Sequence, residues 1–434
     1  MPVTGGGDPG ASDPVAQAVI AHFRPDPPAR LGVAVSGGGD SAALLRILAD
    51  WAPGAGVDLH AVTVDHGLRP EAADEARAVA ALAARLGVAH DTLEWRDRDR
   101  TGNLQAAARQ ARYRLISDWA RERDIAQVAL GHTADDQAET VLMALARGAG
   151  VDGLAAMPVR RRFGAVTLVR PMLGLRRMAL RRWLEARGAD WFDDPGNADT
   201  RFDRIKARRA LDVLAPLGVD AAALARVAGQ MAEARAALDA ATARAARDLA
   251  EVAAGEVTLA RDGLAALPDE IARRLLIHAL RMVGGARQAP RRAAIARLRA
   301  AITARPRMTL AGCLITASGD GVHIGREPAA VAGLRAAPGA VWDRRWRLRS
   351  PPGGAAPSAA TAGVHVAALG AAGLAQCPDW RQTGLTRETL LASPALWHGD
   401  ELLAAPLAGE AAARGWHAEP VLDARALAAH LTVE

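Results

Sequence analysis

From residue 31 to about residue 187 the chain alternates between short apolar runs and longer stretches whose apolar positions repeat every three or four residues. The first pattern predicts strands and the second predicts helices. The predicted strands are 31–35, 57–64, 90–95, 126–130 and 166–169, the last one after an Arg-rich turn. The predicted helices are 41–51, 70–86, 104–121, 135–146 and 176–187. This alternation predicts an α/β fold with a parallel, doubly wound sheet covered by helices on both faces.

The pattern changes after this region. Residues 220–254 are Ala-rich and predicted to be helical throughout, with a long connecting helix over 230–253. Further helices are expected over 269–282 and 290–303, and short strands over 308–324. Stretches rich in Ala, Pro and Gly at 329–339 and 351–363 are typical of linkers. The remainder is predicted to be a small β-containing domain.

These changes predict the organisation of the whole chain. The predicted parts are a disordered tail over 1–28, a catalytic domain over 29–217, a helical substrate-binding domain over 218–327, a linker with the start of the last domain over 328–362, and a C-terminal domain over 363–434. No apolar run is long enough to cross a bilayer, and the start lacks the regions of a signal peptide. A cytoplasmic protein without membrane contact is therefore expected.

Composition adds two constraints. The net charge of the 434 residues is +6, and arginine carries almost all of the positive charge because Lys206 is the only lysine. An Arg-rich chain fits a polyanionic partner, although a GC-rich genome also enriches arginine, so the sign alone is weak evidence. The two cysteines, Cys313 and Cys377, are far apart. Without a Cys-x-x-Cys motif, an iron–sulfur cluster or a cysteine zinc site is not expected.

A glycine-rich loop stands between the first predicted strand and helix. Its residues are Ser36, Gly37, Gly38, Gly39, Asp40 and Ser41. The glycines allow the backbone to approach an anion, the helix N-terminus offers N–H groups, and the serines add hydroxyl donors. The loop lacks the lysine of a P-loop and the G-x-G-x-x-G spacing of a dinucleotide fold. Nucleotide binding is favoured over a simple turn in which Asp40 caps the helix.

A second group of polar residues follows other predicted strands. His66 follows the second strand, and residues 131–140 follow the fourth and contain His132, Asp135, Asp136 and Glu139. Three carboxylates within about one turn repel each other unless a cation or an amine is bound. Thr133 and Asp136 also spell a capping box, so part of this cluster has a structural explanation.

Basic residues form the third group. Arg109 and Arg112 share a helix face at i, i+3, and Arg204, Lys206 and Arg208 follow a turn-rich loop over 194–197 that contains Asn197. Taken singly, each basic stretch is also explained by a solvated helix face. Tyr113, the only tyrosine, and Lys206, the only lysine, both lie within these segments.

The glycine-rich loop resembles the Ser-Gly-Gly-x-Asp-Ser loop of the N-type ATP pyrophosphatases (the PP-loop superfamily). In their order along residues 31–211, the further motifs resemble the tRNA(Ile)-lysidine synthase family. These motifs are Asp65-His66-Gly67, Gly131-His132-Thr133-Ala134-Asp135-Asp136, Arg170-Pro171 and Asp194-Pro195-Gly196-Asn197. Gly196 stands where the family usually has serine, which puts that side-chain contact in doubt.

The resemblance implies a tRNA-modifying ligase with ATP, Mg²⁺ and free lysine as co-substrate. Such an enzyme adenylates C2 of the wobble cytidine of a CAU-anticodon tRNA(Ile), and lysine then displaces AMP. The implied ATP-binding residues are Ser36, Gly37, Gly38, Gly39, Asp40, Ser41, His66 and His132. Asp40 is the implied Mg²⁺ ligand, and the implied catalytic residues are Asp40, Arg112, Asp135 and Asp136, with either Asp135 or Asp136 handling the lysine amine. The implied tRNA-binding residues are Arg109, Asn197, Arg204, Lys206 and Arg208, together with the C-terminal domain, and a homodimer is a family-level expectation.

Other functions were weighed against this one. Glutamine-dependent synthetases of the superfamily need a nucleophilic cysteine in an amidotransferase domain, and no cysteine precedes Cys313. Thiolating enzymes use cysteines in the nucleotide domain, which are absent here. A non-catalytic RNA-binding protein would tolerate loss of Asp40 or Asp135, and both are present.

Overall fold

The computed structural model describes residues 13–67, 72–95, 104–191, 203–286, 288–303, 307–351 and 363–421. The chain divides into two compact units, Met1–Arg235 and Ala236–Glu434. In the part of the chain that is described, no helix is both long and apolar enough to span a membrane. The finer division predicted for the second unit remains a prediction.

The first unit contains a six-stranded sheet in the order β3-β2-β1-β4-β6-β5. The first five strands in this order are parallel, and β5 is antiparallel to β6. The strands are β1 Arg30–Ala34, β2 Asp58–Asp65, β3 Ala89–Glu94, β4 Gln127–Leu130, β5 Arg160–Phe163 and β6 Val166–Val169. The helices that begin in this unit are α1 Pro14–Ile20, α2 Gly39–Trp51, α3 Ala72–Arg85, α4 Leu104–Glu122, α5 Ala134–Ala146, α6 Val151–Leu154, α7 Arg177–Glu185, α8 Asp203–Leu214 and α9 Ala221–Leu249.

Two hydrophobic clusters cover this sheet. Neighbouring residues of β2 belong to different clusters, with Ala61 in one and Val62 in the other. The first cluster also contains residues of α1, α2, α3 and α7, and the second contains residues of α4. Since successive strand residues face opposite sides, the sheet is covered on both faces. The predicted α/β fold is confirmed, and the predicted bounds of its central elements agree with the structure to within about two residues.

The Arg-rich segment before β6 was predicted to be a turn, and that prediction is wrong. Residues Arg160–Phe163 form the edge strand β5, paired with β6 through a hairpin in which Phe163 lies opposite Val166. Gly164 adopts a φ of 60° in the turn, a conformation that glycine allows without strain. The turn lies after the arginines, at Gly164, and the arginines themselves belong to the strand.

The second unit contains a five-stranded antiparallel sheet in the order β7-β8-β11-β10-β9 and two smaller antiparallel sheets, β12-β15-β16-β17 and β13-β14-β18. The strands are β7 Ala250–Ala253, β8 Glu256–Ala260, β9 Arg307–Leu310, β10 Cys313–Ser318, β11 Gly321–Arg326, β12 Arg335–Ala336, β13 Val341–Trp342, β14 Trp346–Arg349, β15 Val364–Ala368, β16 Pro394–His398, β17 Glu401–Ala404 and β18 His417–Pro420. The helices are α10 Arg261–Ala266, α11 Asp269–Gly284, α12 Arg292–Thr303, α13 Pro328–Val331, α14 Gly370–Leu374, α15 Arg387–Leu391 and α16 Glu410–Ala413.

The long helix predicted over 230–253 ends earlier than expected. Helix α9 stops at Leu249, and the next four residues form β7. Ala254 and Gly255, with φ of 48° and 75°, make a two-residue turn between the paired residues Ala253 and Glu256. Positive φ at both central positions is the signature of a type I′ hairpin. Sheet pairing therefore overrides the helical preference of this Ala-rich segment.

An ion-pair network connects the five-stranded sheet to the turn between β13 and β14. Asp343 accepts hydrogen bonds from Arg326 at 3.0 Å and from Arg345 at 2.8 Å, and all three side chains are buried or nearly so. Thr389 of α15 also donates to Glu256 of β8 at 2.7 Å. These contacts join residues 250–326 of the second unit to residues beyond 340.

Candidate active site

The glycine-rich loop follows β1 and leads into α2. Gly37 has a φ of 85°, which an L-residue with a side chain rarely adopts. The Ser41 hydroxyl donates to the Gly38 carbonyl at 2.9 Å and accepts from the Ser36 N–H at 3.1 Å. Ser41 therefore fixes the shape of the loop, and the first N–H groups of α2 are left to face an anion.

Two close contacts leave no room for side chains at glycines beside this loop. A Cβ at Gly131, after β4, would lie 3.1 Å from the Ser41 backbone nitrogen. A Cβ at Gly39 would lie 3.2 Å from the ring of Trp191. The first turn of α2 is thus held between the end of β4 and an indole ring.

Asp40 lies in the first turn of α2 and pairs with Arg177 of α7. The Arg177 Nε donates to Asp40 Oδ2 at 2.8 Å. Burial raises the pKa of Asp40, Arg177 lowers it, and the charges of Asp136 and Asp135 raise it further. The predicted Mg²⁺ ligand is therefore bonded to a protein cation.

Asp136 caps helix α5, as the capping-box pattern of the sequence allowed. Its Oδ2 accepts from both the backbone N–H and the hydroxyl of Thr133, each at 2.9 Å, in a capping box at the start of α5. Despite its burial, Arg177, His132 and the Thr133 N–H lower the pKa of Asp136. This carboxyl stays ionised at neutral pH.

Asp135 caps a different helix. Its Oδ2 accepts from the backbone N–H of Arg177 at 2.7 Å, at the N-terminus of α7. The guanidinium of Arg176 lies 3.3 Å from the same oxygen. Asp135 therefore bonds α5 to α7, and it places the two arginines beside the glycine-rich loop.

Glu139 is the third carboxylate and is only 1% exposed. Its Oε1 accepts from Arg208 Nε at 3.0 Å and Nη2 at 2.8 Å, and its Oε2 is buried without a hydrogen-bond partner. Burial raises the pKa of Glu139, and Arg208 opposes that rise. Arg208, predicted to contact tRNA, is therefore committed at least in part to this carboxylate.

Arg177 places a positive charge among the carboxylates of the acidic cluster. Its guanidinium lies 2.8 Å from Asp40, 3.4 Å from Asp136 and 3.8 Å from Glu139. Arginines thus supply the positive charge that relieves the repulsion between these carboxylates. The repulsion on its own no longer requires a bound amine.

Arg177 and Arg176 were missed from the sequence, although a signal was present. Two arginines at the start of a helix oppose the positive end of the helix dipole, so they need nearby acids. The pairing of Arg177 with Asp40 spans 137 residues. Pattern reading along the chain does not reveal a partner at that distance.

His66 lies at the end of β2 and accepts hydrogen bonds from Arg112 of α4. Arg112 Nε and Nη2 donate to His66 Nε2 at 3.1 and 2.9 Å. The proton of the neutral ring is therefore on Nδ1, which is buried without a hydrogen-bond partner. Burial, followed by the Arg112 charge, lowers the pKa of His66 to about 4.

His132 is similarly kept neutral at the end of β4. Burial lowers its pKa to about 3; Asp136 opposes this, and Arg170, Arg109 and Arg204 lower it further. Its Nδ1 is also buried without a hydrogen-bond partner. Two neutral imidazoles, each with an unsatisfied nitrogen, flank the carboxyl ends of the central strands.

The predicted basic residues divide into two groups. Arg109 lies over the Tyr113 ring at 5.3 Å, and Arg204 lies 3.7 Å from Asp136, so both are near the site. Lys206 projects from the opposite side of α8, where its Nζ is 3.3 Å from Asp203 and its side chain is 62% exposed. Asn197 lies outside the described residues.

A magnesium ion fits here only together with phosphate. Among the described residues, no group of three metal-ligating side chains is suited to hold an ion. Asp40 offers one carboxylate at the helix end where an anion would bind. Mg²⁺ is commonly held by one or two carboxylates plus substrate phosphates, which suits this arrangement.

The fold and the loop define a PP-loop nucleotide-binding domain. Residues 12–214 match the PP-loop domain family. The chain is 52% identical over 399 residues to a tRNA(Ile)-lysidine synthase of Ruegeria pomeroyi, covering 92% of this chain and 93% of the relative. It is 45% identical over 311 residues to a tRNA(Ile)-lysidine synthase of Methylobacterium nodulans, covering 69% of this chain and 91% of the relative.

The chain belongs to the tRNA(Ile)-lysidine synthase family. It is an enzyme of the ATP-using PP-loop class. Among solved structures, a U34-tRNA thiolase of Methanococcus maripaludis matches 50% of this chain and 78% of its own, with 18% identity and a TM-score of 0.45.

Proposed function

We propose that this enzyme uses ATP to adenylate the C2 oxygen of the wobble cytidine in a CAU-anticodon tRNA(Ile), with release of pyrophosphate. The ε-amine of free lysine then attacks C2, the C–O bond to AMP breaks, and the base becomes lysidine. Adenylation converts a poor leaving oxygen into a good one. The amine must be neutral when it attacks, so a proton has to be removed from it.

One observation of the structure supports this proposal independently of the names of the relatives. The carboxylate of the glycine-rich loop and the carboxylates of α5 share a single guanidinium, that of Arg177. A nucleotide held by the loop would therefore lie beside the carboxylates that would receive the amine. Adenylation and amine attack require such neighbouring subsites.

The loop residues 36–41 would hold the phosphates, and Asp40 would hold a Mg²⁺ that arrives with them. When bound, the ion supplies positive charge to the pyrophosphate leaving group. Asp40 Oδ2 accepts from Arg177, so the ion would contact Oδ1 or displace the guanidinium from Oδ2, in which case Arg177 would keep Asp136 and Glu139 as partners. His66 and His132 are neutral and would contact the nucleotide by hydrogen bonding rather than by charge.

Asp135 and Asp136 would receive the lysine amine, and either one would accept its proton. Both already accept structural hydrogen bonds through Oδ2. Asp136 Oδ1 is 3.7 Å from Arg204. Arg112 would stabilise charge at the α-phosphate or on the base from its position beside His66.

The RNA would be held by Arg109, Asn197, Arg204, Lys206 and Arg208 and by the residues of the second unit. Among the members of this set that the structure describes, the exposed Lys206 and the ring-stacked Arg109 have the fewest internal partners. Arg208 would contribute only to the extent that its bond to Glu139 allows.

The deciding experiment is mass analysis of nucleosides from a CAU-anticodon tRNA after incubation with the protein, ATP and lysine. The expected product is cytidine heavier by one lysine less one water, formed only when both co-substrates are present. Binding of RNA and ATP without pyrophosphate release would instead indicate a non-catalytic RNA-binding protein. In that case the proposal would be abandoned.

A further inference from the structure

Three consecutive arginines occupy the edge strand β5, and their surroundings differ. Arg160 donates to Gln127 Oε1 at 3.0 Å and to the His22 carbonyl at 2.6 Å. Arg162 donates to the Gly164 carbonyl at 3.4 Å. Arg161 is exposed, and its side chain has no hydrogen bond or ion pair with any residue that the structure describes. It is the unpartnered guanidinium of the three.

The pairing of β5 places Arg161 on the side of the sheet that α4 covers. Arg161 lies opposite Leu168, which belongs to the core beneath α4, whereas Arg160 lies opposite Val169, which belongs to the core on the other face. Phe163 shares the face of Arg161, since alternate strand residues point the same way. Its ring lies 5.6 Å from that of Tyr113 on α4.

Arg109 projects over the same aromatic pair. Its guanidinium carbon is 5.3 Å from the Tyr113 ring centre, and it forms no ion pair with the described carboxylates. The hairpin is fixed against α4 by the Ser117 hydroxyl, which donates to the Phe163 carbonyl at 3.2 Å. Two exposed arginines, 109 and 161, therefore flank one docked aromatic contact.

A third arginine is buried in the same part of the sheet. Arg170, directly after β6, is 2% exposed, donates to the Pro158 carbonyl at 2.8 Å, and has a buried Nε without a partner. It forms no ion pair with any carboxylate among the described residues. Burial lowers the pKa of Arg170, its contact with Tyr113 opposes this, and the charges of Arg109 and Arg161 lower it further.

A buried cation without a counter-ion is unfavourable, and two further cations nearby increase the cost. An anion bound among the three guanidiniums would relieve this repulsion. Arginine suits a phosphate in particular because its planar fork donates two parallel hydrogen bonds.

We propose that Arg161 of β5, together with Arg109 and the buried Arg170, forms a second phosphate-binding site that holds a backbone phosphate of the substrate RNA. The inference rests on the proposed function. It adds Arg161 and the β5–β6 hairpin to the RNA-binding surface.

Sheet order favours RNA over the nucleotide as the source of this phosphate. The glycine-rich loop follows β1, and β5 lies three strands away in the order β1-β4-β6-β5. With strands about 4.8 Å apart, that separation is roughly 14 Å. His66 ends β2, on the opposite side of β1. A nucleotide that reaches from the loop to His66 therefore runs away from β5, and one that also contacts His132, at the end of β4, is still two strands away from β5.

The competing explanation is protection of a sheet edge, because charged side chains on edge strands discourage pairing with other chains. Arg162 offers a matched control, since it lies on the same strand, is also exposed and points to the opposite face. The full-length Arg161→Gln and Arg162→Gln variants would be compared with the unmodified protein. Each would be tested with a labelled CAU-anticodon stem-loop RNA across a salt series, and with ATP by equilibrium dialysis.

Arg161→Gln is expected to weaken RNA binding roughly tenfold, the effect of losing one charge-assisted hydrogen bond. The slope of log affinity against log salt should fall by about one unit. Arg162→Gln should leave both quantities unchanged, and neither variant should change ATP affinity. Arg161→Gln should not lower the thermal unfolding midpoint of the free protein, because it removes a charge that repels the buried Arg170.

Two results would overturn the inference. Equal RNA affinity and salt slope in the two variants would leave edge protection as the role of Arg161. Weaker ATP binding with an unchanged RNA slope would assign the site to the nucleotide. If the unmodified protein forms lysidine in either case, the proposed function stands while this inference fails; if it binds no RNA, both fail together.

Discussion

Arg177 is the side chain through which the glycine-rich loop and the acidic face of α5 meet. Burial alone would lower its pKa, but Asp40, Asp136 and Glu139 raise it above the ordinary value. It therefore carries its charge at every pH at which the protein is folded. Asp40 can change partners without leaving α5 uncompensated, because two other carboxylates stay within reach of the same guanidinium.

Asp40→Asn is expected to abolish pyrophosphate release while the protein stays folded. The substitution removes the carboxylate charge that a magnesium ion needs, and the amide oxygen still accepts from Arg177. Pyrophosphate release and thermal unfolding would be measured side by side. Asp50→Asn, an exposed change in the last turn of the same helix, is the control and should behave like the unmodified protein. Full activity of Asp40→Asn would remove Asp40 from the mechanism.

His66 makes stability depend on pH. Its pKa is about 4 in the folded protein against 6.5 as the ordinary value. Below pH 6.5 the unfolded chain takes up a proton that the folded chain does not, so stability falls as pH falls towards 4. His66→Gln keeps an acceptor for Arg112 without this titration, and its unfolding midpoint should fall less between pH 7 and pH 4.5. Parallel pH profiles for the two proteins would contradict the assigned pKa.

At the scale of elements, the site is built from helix ends. Asp136 caps α5, Asp135 caps α7, and the open N-terminus of α2 faces the loop. The two aspartates therefore have a structural role as helix caps. An alanine variant would remove both the cap and any catalytic role, so its effect could not be assigned to either one. Arg208 raises the same difficulty, because reversing its charge would set a second acid against the buried Glu139.

Asp135→Asn and Asp136→Asn separate charge from capping, since asparagine still accepts a hydrogen bond. Each is expected to raise the KM for lysine several-fold with the KM for ATP unchanged, because the amine loses its carboxylate. Thr133→Ala is the matched control. It weakens the capping box by about 1 kcal/mol of unfolding free energy and should leave the KM for lysine unchanged. Unmodified kinetics at limiting lysine in both Asn variants would reduce these aspartates to capping residues.

Whether an element or contact could be predicted from the sequence depends on whether it is set by nearby residues or by residues far apart in the chain. The order of the central strands and helices, from β1 to α5, was correct because apolar periodicity is local, and parallel strands bring His66 and His132 to one sheet edge. The strands β5 and β7 were missed because their arginines and alanines are weak strand formers whose pairing is decided by neighbouring strands. The Arg177–Asp40 contact was missed because its partners are far apart in the chain.

At the scale of the whole molecule, the ion-pair network around Asp343 determines how well the second unit tolerates truncation. Arg326 precedes residue 328, where the last domain was predicted to begin, whereas its partner Asp343 follows it. Removing one partner of a buried ion pair typically costs about 3–5 kcal/mol. A cut after residue 328 therefore destabilises what remains of that unit.

Deleting the residues after 328 is expected to leave ATP binding intact and to weaken tRNA binding greatly. The proposed nucleotide site is in the first unit, whereas selection of one tRNA among those with the same anticodon would need a larger surface. Filter binding across a salt series measures both affinity and the number of phosphate contacts. Asp343→Asn in the full chain controls for lost stability, since it weakens the same network and removes no surface. An unchanged affinity and slope in the truncated protein would mean that these residues serve another purpose.

The single lysine of the chain provides a site for chemical labelling. Lys206 is well exposed on the outer side of α8, away from the face that carries Arg208 to Glu139. Because the chain has no other lysine, Lys206 is the one side chain that an amine-reactive dye modifies, and the N-terminal α-amino group is the other reactive amine. The attached fluorophore would lie within two helical turns of the acidic cluster without occupying it. Energy transfer from this dye to a dye on the anticodon loop would then follow the approach of the RNA, and a lower RNA affinity of the labelled protein would indicate that the Lys206 amine itself contacts the RNA.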